Sequence, residues 1–179
     1  MSAAETAERT VERAGPHPGL LDWLAANHVE YELHEHPTTY TARETARAEG
    51  IDPRRFAKTV GVELANGRRA LIVVDATDKV DLVKARHVVD SGSVRLLTEE
   101  ELLALAPDCE VGTTPPVGEL FGVRVYADYA VREDPEISFH AGSHRFTVHV
   151  DRAAWEKATR AVYGDLAVDM ERMPAWADS

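Results

Sequence analysis

The sequence predicts an α+β fold, in which a mixed, mostly antiparallel and partly closed β-sheet is surrounded by helices. Strand-like and helix-like segments follow one another without the regular βαβ order of a parallel α/β fold. The dipeptide Asn66-Gly67 lies between two apolar runs, which is the strongest short signal for an antiparallel hairpin. The chain has 179 residues, 44% of them hydrophobic, which suits one domain with a sizeable core.

In the first half of the chain, caps indicate the helices and alternation indicates the strands. Thr41 and Glu44 are three residues apart, which is a capping-box pattern, and Gly50 is a typical helix stop. Val60 and Val62 alternate with Gly61 and Glu63, as expected of a half-buried strand. In order, we predict a helix over 20–28, a strand over 29–36, a helix over 41–50, strands over 58–64 and 69–75, and a helix over 81–89.

In the second half, Thr98 and Glu101 repeat the capping-box pattern. Gly164 is the predicted stop of the last helix, and the Gly/Pro-rich segment 109–122 is an irregular loop. In order, we predict a strand over 94–97, a helix over 98–107, that loop, strands over 123–128 and 136–140, a turn over 141–144, a strand over 145–150 and a helix over 151–164.

Three ranges divide the chain. We expect a flexible tail over 1–17, one domain over 18–165, and a C-terminal tail or docked extension over 166–179. The first residues carry acids and lack an apolar centre, so they do not form a secretory signal. No run of about 18 apolar residues exists, so we expect no membrane segment and a cytoplasmic protein.

The overall charge excludes one class of protein. The formal net charge is −11, whereas a general nucleic-acid coat protein would be basic. The charge is uneven, because residues 38–58 are net basic and residues 98–136 are strongly acidic. A local basic surface therefore remains possible on an acidic molecule.

Several common catalytic motifs are absent. The sequence has no G-x-S-x-G, no Walker loop, no H-E-x-x-H and no paired C-x-x-C. His34 and His36 share one face of a predicted strand, but zinc needs three or four ligands and no third is evident nearby. We interpret them as surface histidines. Cys109 has no obvious base beside it and is interpreted as an inert thiol.

Three other features are candidates for chemistry. Lys58 is in phase with the apolar valines of its strand, so its ammonium points toward the apolar side unless the side chain bends to solvent. The loop 112–118 (GTTPPVG) combines flexible glycine with rigid proline, and can hold main-chain N–H groups ready for an oxyanion. The segment 141–144 (AGSH) places a histidine beside a turn. Taken singly, each also has a purely structural interpretation.

Together, and in this order, "AKTVGV", "GTTPPVG" and "AGSH" resemble the YbaK/aminoacyl-tRNA-synthetase-associated domain family. Its members are free-standing relatives of the editing insertion of bacterial prolyl-tRNA synthetases. The resemblance covers about residues 20–165, including "HEHPTTYTARETARAEGI" and "DATDKVDLVKARHVV". It implies a mixed sheet wrapped by helices, a small pocket, no metal and no cofactor, and hydrolysis of misacylated tRNA, with a synthetase as a further partner.

The resemblance also implies roles for particular residues. Lys58 matches the essential lysine, and Gly112 lies in the catalytic loop. Asp128 matches an aspartate that often follows the preceding strand. The implied substrate-binding set is Thr59, Thr113, Thr114, Pro115, Pro116, Asp128, Gly142, Ser143 and His144. In the net basic segment, the arginines predicted to contact tRNA, unless they form only a solvated surface, are Arg43, Arg47, Arg54 and Arg55.

The expected mechanism is attack by water, because no serine or cysteine nucleophile has an identifiable base. Main-chain N–H groups near Gly112 would stabilise the oxyanion, and Lys58 would orient the ribose-phosphate end. Lys58-Thr59 departs from the lysine–asparagine pair of alanine-editing members, whereas "HPTTYTARETA" resembles free-standing members linked to serine, threonine or alanine. Serine or alanine is therefore favoured, with threonine or cysteine open. The alternatives are a non-catalytic module that binds tRNA ends or a synthetase, and a hydrolase of another small ester.

Overall fold

The strands of the protein form three sheets, with helices packed around them. The computed structural model describes residues 15–169. The helices are α1 Pro18–Ala26, α2 Ala42–Ala48, α3 Leu82–Val88, α4 Glu99–Leu105, α5 Tyr129–Arg132 and α6 Arg152–Thr159, with 3₁₀ turns at Pro53–Arg55 and Gly118–Leu120. The strands are β1 Tyr31–Glu35, β2 Ala57–Leu64, β3 Arg69–Asp75, β4 Asp78–Val80, β5 Val94–Leu96, β6 Arg124–Asp128, β7 Glu136–Ser143, β8 Phe146–Asp151, β9 Val162–Gly164 and β10 Ala167–Asp169.

The sheet topology confirms the α+β class. The largest sheet has the order β5-β2-β3-β6-β9, in which β2 is antiparallel to both neighbours while β6 is parallel to β3 and to β9. The second sheet, β1-β8-β7, and the pair β10-β4 are antiparallel. The strands therefore form three open sheets, and not the single partly closed sheet that the sequence predicted.

The core lies on both faces of the largest sheet. Alternate residues of β3 point to opposite faces. Leu71 and Val73 pack in one cluster with Trp155, whereas Ile72 and Val74 pack in a second cluster. Because β3 is central and buried on both faces, its sequence is an almost continuous apolar run.

The local signals placed most elements correctly. Thr98 and Glu101 form both hydrogen bonds of the predicted capping box at the start of α4. The predicted hairpin joins β2 to β3, and Gly67 adopts a φ of 80° in its turn. These features depend only on residues close in the chain, which explains why they could be predicted.

The predicted end of the last helix at Gly164 is wrong. The helix α6 stops at Thr159, because Arg160 takes the left-handed conformation with a φ of 55°. The next residues instead form β9 beside β6, and a Cβ on Gly164 would lie 2.6 Å from the side chain of Val88. The strand β6, which pairs with this segment, is distant in sequence, so the local pattern did not indicate the pairing.

Residues 141–144 are not the predicted turn. The strand β7 continues through Ser143, with a bulge between His140 and Ser143, and the reversal lies at His144 and Arg145. Gly142 has a φ of 82°, and a Cβ there would come within 2.9 Å of His17. Glycine at this position therefore serves a bulged strand packed closely against another segment.

The ordered structure continues past the predicted boundary at residue 165. Leu166 is fully buried in the second core cluster, and β10 pairs with β4. The C-terminal range thus begins with a strand that is docked on the domain. The expectations for residues 1–14 and 170–179 lie outside the described residues. Within 15–169, the helices are too short or too polar for any of them to cross a bilayer.

Candidate active site

A cavity of about 490 Å³ opens at the edge of β2. The neighbouring strand β5 pairs only with Val62, Glu63 and Leu64, and β7 meets the chain just before β2 in a parallel bridge between Ser138 and Phe56. The edge of β2 is open between these two contacts in the described structure. The main-chain carbonyl of Gly61 accepts from Leu97 on this edge. Since alternate residues of a strand point their main-chain groups the same way, those of Thr59 face the open edge too.

The wall of this cavity joins residues from distant parts of the chain. It comprises Tyr40, Thr41, Ala42, Arg43, Ala57, Lys58, Thr59, Val60, Gly61, Ala76, Leu96, Leu97, Leu102, Gly112, Thr114 and His140. A mostly apolar wall with a few convergent polar groups is typical of a small-molecule site.

Lys58 is half-buried, and its ammonium donates a hydrogen bond to the main-chain carbonyl oxygen of Asp78. Burial lowers the pKa of Lys58, Asp78 raises it in opposition, and the positive charges of Lys79 and Arg43 lower it further. An ammonium carries three donors, so two remain for a ligand. The strand lysine is thus partly satisfied by backbone and still available to the cavity.

His140 is a neutral histidine in the cavity wall. The hydroxyl of Thr45 lies 2.8 Å from Nε2 of His140, 2.9 Å from the carbonyl of Thr41 and 2.6 Å from the hydroxyl of Thr39. With its proton on the carbonyl of Thr41, this hydroxyl accepts from Nε2–H, and Nδ1 of His140 is then the free acceptor. Burial, together with His144 and His36, lowers the pKa of His140 to about 3. The ring therefore presents an acceptor and no charge at neutral pH.

The predicted glycine–proline loop is held firmly from behind. The carbonyl of Thr113 accepts from Gly142 N at 3.0 Å, and the indole of Trp155 donates to the carbonyl of Pro116 at 2.8 Å. Gly112 has a φ of 84° and lies at the cavity wall. No main-chain hydrogen bond to a described residue uses the N–H of Gly112 or Thr114. A fixed loop with open N–H groups can stabilise an oxyanion.

The structure brings many of the predicted residues together. Lys58, Thr59, Gly112, Thr114 and Arg43 line one cavity. Behind them, fully or largely buried and outside this lining, lie Thr113, Pro115, Pro116, Gly142 and Ser143.

His144 is adjacent to this cavity. Its ring lies 6.1 Å from that of His140 and 5.5 Å from that of Tyr40. Its Nδ1 is buried without a hydrogen-bond partner among the described residues.

Asp128 is placed elsewhere. Its carboxylate accepts from the N–H groups of Ala130, Leu166 and Ala167, so it caps α5 and anchors the chain before β10. It lines a different, acidic cavity together with Arg54. Arg47, Arg54 and Arg55 are exposed and do not line the Lys58 cavity.

Sequence reasoning missed part of the site. The leucine wall, Leu96, Leu97 and Leu102, is indistinguishable from core until β5 and α4 are placed beside β2. His140 was passed over because it lies within a strand. Its two-residue spacing from the predicted Gly142 was the signal that could have identified it.

The interpretation of His34 and His36 as surface histidines holds for His34 and is wrong for His36, which is buried. The third ligand that the sequence did not show is supplied from other segments. His34 lies with Glu49 and His149, the one group within residues 15–169 that could hold a metal ion. His36 does not join it, because that side chain is buried and bonds the carbonyl of Pro37 through Nδ1. Cys109 is also buried, and burial raises the pKa of its thiol to about 12.

Comparison with known proteins gives consistent results. Residues 36–158 match the model of the aminoacyl-tRNA editing domain. The proline–tRNA ligase of Acidithiobacillus ferrooxidans is 27% identical over 82% of this chain and 25% of its own length, and that of Halalkalibacterium halodurans is 30% identical over 58% and 18%. The chain thus spans about a quarter or less of these relatives.

Solved structures agree on the fold. A candidate trans-editing enzyme for prolyl-tRNA synthetase is 25% identical with a TM-score of 0.74, and the match covers 86% of this chain and 99% of that one. A hypothetical protein of 20% identity has a TM-score of 0.77, with coverage of 83% and 99%. The second likeness concerns the fold alone.

Proposed function

The chain belongs to the aminoacyl-tRNA editing domain family, and we propose that it is a trans-editing deacylase for misacylated tRNA carrying a small amino acid. The observation that carries the proposal is the meeting of Lys58, the Gly112 loop and neutral His140 around one cavity at an open strand edge. Charged tRNA is a cytoplasmic substrate, so we expect the protein to act there.

The proposed reaction is hydrolysis of the ester between the amino acid and the terminal ribose. Water adds to the ester carbonyl carbon and the bond to the ribose oxygen breaks. One proton of the water passes to the ribose oxygen and the other to solvent, and the amino acid leaves as a carboxylate. The open N–H groups of Gly112 and Thr114 would stabilise the oxyanion. Lys58 would bind the ribose-phosphate end through its two remaining donors, and the ribose hydroxyl beside the ester would position the water.

His140 suits recognition of the amino acid. An aminoacyl ester carries an ammonium group, and the unprotonated Nδ1 can accept from it without charge repulsion. A protonated histidine would repel the same group. We assign His140 to binding the amino end of the substrate.

Serine or alanine is the favoured amino acid, with threonine or cysteine as further candidates. The apolar side of the cavity is formed by leucines, and a Cβ on Gly61 would come within 2.7 Å of Leu102, so this side is tightly packed. The hydroxyl of Thr59 is buried and has no hydrogen-bond partner within residues 15–169, and a substrate hydroxyl would satisfy it. Apolar pockets discriminate weakly between small side chains, so mixed specificity is expected.

The tRNA would approach along the basic segment before Lys58. Arg43 is exposed at the cavity wall, while Arg47, Arg54 and Arg55 are exposed nearby in the sequence. With a net charge of −11, the remaining surface opposes tRNA, so binding should be weak and sensitive to salt. A synthetase partner would compensate for weak binding, which fits the ligase relatives.

Replacement of Lys58 by alanine tests the function. Deacylation of tRNAs charged with alanine, serine, threonine, cysteine or proline is measured for wild type, Lys58→Ala and the control Lys157→Ala, an exposed lysine on α6. We expect wild type and the control to deacylate one or two species, and Lys58→Ala to lose about 100-fold or more in rate. Circular dichroism checks that all three fold.

Retained activity in folded Lys58→Ala would exclude the role of the lysine. A folded wild type that binds tRNA but deacylates none of the five species would favour the binding module. Equal hydrolysis of a short aminoacyl ester without tRNA would favour a hydrolase of another small ester.

A further inference from the structure

The outer face of the β1-β8-β7 sheet carries a group of metal-ligating side chains apart from the Lys58 cavity. In the register of β1 and β8, His149 lies opposite Glu32 and Thr147 lies opposite His34, so these four side chains share one face. Glu49 follows the end of α2 and reaches this face, where Thr147 donates to its Oε1 at 2.5 Å. His34, Glu49 and His149 thus converge from three segments.

The spacing of the three residues fits one ion. Nε2 of His149 lies 3.5 Å from Oε2 of Glu49, and Nδ1 of His34 lies 3.9 Å from Oε1 of Glu49. Two ligand atoms bound at about 2.0–2.1 Å to a tetrahedral zinc ion are about 3.3 Å apart. One ligand atom from each of the three residues lies within 4.8 Å of the others, so small side-chain rotations would close the site.

Two of these atoms have unmet bonding capacity. The side chain of Glu49 is only 6% exposed, and its Oε2 has no hydrogen-bond partner among the described residues. The same holds for Nε2 of His149, which faces that oxygen. Unpartnered buried groups of this kind are costly and call for a ligand or ion.

The neighbours of His149 prepare it for a metal. The hydroxyl of Ser138 lies 2.5 Å from its Nδ1, and a partner on the remote ring nitrogen typically orients a metal-bound histidine. The exposed His34 can complete the set by a rotation alone.

We propose that His34, Glu49 and His149 form a binding site for zinc or a similar late first-row divalent ion. Two imidazoles and one carboxylate suit such ions, whereas Mg²⁺ and Ca²⁺ prefer oxygen ligands throughout. A cavity of about 330 Å³ beside the three side chains leaves room for water as a fourth ligand. Glu32 and Asp52 line it and favour a cation, while Arg55 opposes one.

The site would join the end of α2 to β1 and β8. The same helix contains Thr45, whose hydroxyl is hydrogen-bonded to His140 at the Lys58 cavity. An ion bound by Glu49 would therefore stabilise the helix that positions this histidine. Its role is structural and does not depend on the proposed deacylation.

The test is zinc binding by the full chain without an added histidine tag. After chelator treatment and dialysis, wild type, His34→Ala and the control His87→Ala, an exposed histidine of α3, are titrated with Zn²⁺ by calorimetry. We expect one ion per chain for wild type and the control, and at least tenfold weaker binding for His34→Ala. Zn²⁺, and not Mg²⁺, should raise the melting temperature of wild type. Because His34 is exposed, its loss should not unfold the chain.

Absence of Zn²⁺ binding by folded wild type would overturn the proposal, and so would equal affinity in His34→Ala. With bound Co²⁺, an intense visible absorption that His34→Ala lacks would support a tetrahedral site of these ligands. The same spectrum in both proteins would place the ion elsewhere and overturn the assignment.

Discussion

At the scale of single residues, His140 shows how a fold can remove a charge. The residue is only 5% exposed, and its Nε2 is hydrogen-bonded to the Thr45 hydroxyl. Protonating Nδ1 would place a cation in buried surroundings beside two other histidines, which is why its pKa falls to about 3. The result is a fixed acceptor whose protonation state stays constant across the physiological range.

Replacement of His140 by phenylalanine should reduce substrate binding without unfolding the protein. Phenylalanine keeps an aromatic ring against Phe56, whose ring lies 5.2 Å away, but removes both nitrogens. Loss of one hydrogen bond to a charged substrate group is expected to lower kcat/KM about tenfold. Steady-state deacylation kinetics would be compared with His87→Phe on the exposed face of α3. An unchanged kcat/KM in the folded variant would exclude the assigned role.

Lys58 illustrates what a sequence can predict about a residue. Its phase with Val60 and Val62 predicted an inward direction, and in the structure it is half-buried at a cavity. Its hydrogen-bond partner could not be predicted. The partner is the main-chain carbonyl of Asp78, and every residue type has such a carbonyl, so the sequence does not indicate which one is used. The same limit applies to Asp128, because two of its three backbone contacts reach the segment before β10, 38 and 39 residues away.

At the scale of elements, the 112–118 loop is irregular in conformation yet tightly anchored. Gly142 N donates to the carbonyl of Thr113, and the indole of Trp155 donates to the carbonyl of Pro116. Gly118 N donates to the hydroxyl of Thr159 at 3.5 Å. Each anchor belongs to a strand or helix of the core. The loop can therefore keep its N–H groups in place without a ligand, which is the condition for electrostatic stabilisation of a transition state.

Replacement of Gly112 by alanine should impair this loop through its conformation. The φ of 84° is unfavourable for alanine by about 1–2 kcal/mol, while the nearest atom to a new Cβ, on His144, is 4.0 Å away. We expect the deacylation rate to fall more than tenfold as the loop shifts. Gly67→Ala is the matched control, because that hairpin glycine has a φ of 80° and open space around it.

In both variants the melting temperature should fall by a similar small amount, since the backbone strain is alike. Deacylation should fall only in Gly112→Ala. Equal activity of the two variants would show that the N–H groups of this loop do not act on the substrate.

Element boundaries were predictable where their cause is local. The capping box at Thr98 and the hairpin at Gly67 depend on neighbours in the chain. The end of α6 depends on β6, which pairs in parallel with residues that would otherwise continue the helix. Gly164, which the sequence predicted as a helix stop, instead allows close packing against Val88.

At the scale of the whole molecule, acidic residues gather on one side. Asp75, Asp78, Asp128 and Asp134 line a cavity of about 370 Å³. Burial, together with these neighbours and Asp52, raises the pKa of Asp75 to about 8 from an ordinary value of 3.8. The folded protein therefore holds a proton on Asp75 that the unfolded chain releases above about pH 4.

Asp75→Asn should change how stability depends on pH. A carboxyl whose folded pKa is raised contributes its full stability below the unfolded pKa and loses it as pH rises to the folded value. Between about pH 4 and 8, wild type should therefore lose up to about 1.4 kcal/mol per pH unit from this group, and Asp75→Asn should lack that loss.

Urea unfolding at pH 5, 6, 7 and 8 would measure the difference between the two proteins. Asp22→Asn, on the exposed side of α1, controls for the lost charge. Its free energy of unfolding should change with pH as that of wild type does. Parallel curves for Asp75→Asn as well would contradict the raised pKa.

The family and the α+β class could be inferred from the sequence, because ordered motifs and local periodicity both carry that information. The division into three sheets could not, because β4 and β10 are three-residue strands that pair although they lie far apart in the sequence. Leu166 between them is fully buried, although its neighbours gave no periodic pattern.

The pairing of β10 with β4 makes the order of synthesis matter for this protein. The carbonyl of Asp78 that holds Lys58 belongs to β4, and β4 receives its partner strand only when Ala167–Asp169 have been made. On the ribosome, a chain that already contains every residue of the cavity wall still lacks this pairing. The strand that pairs with the hydrogen-bond partner of Lys58 is therefore the last part of this arrangement to be synthesised.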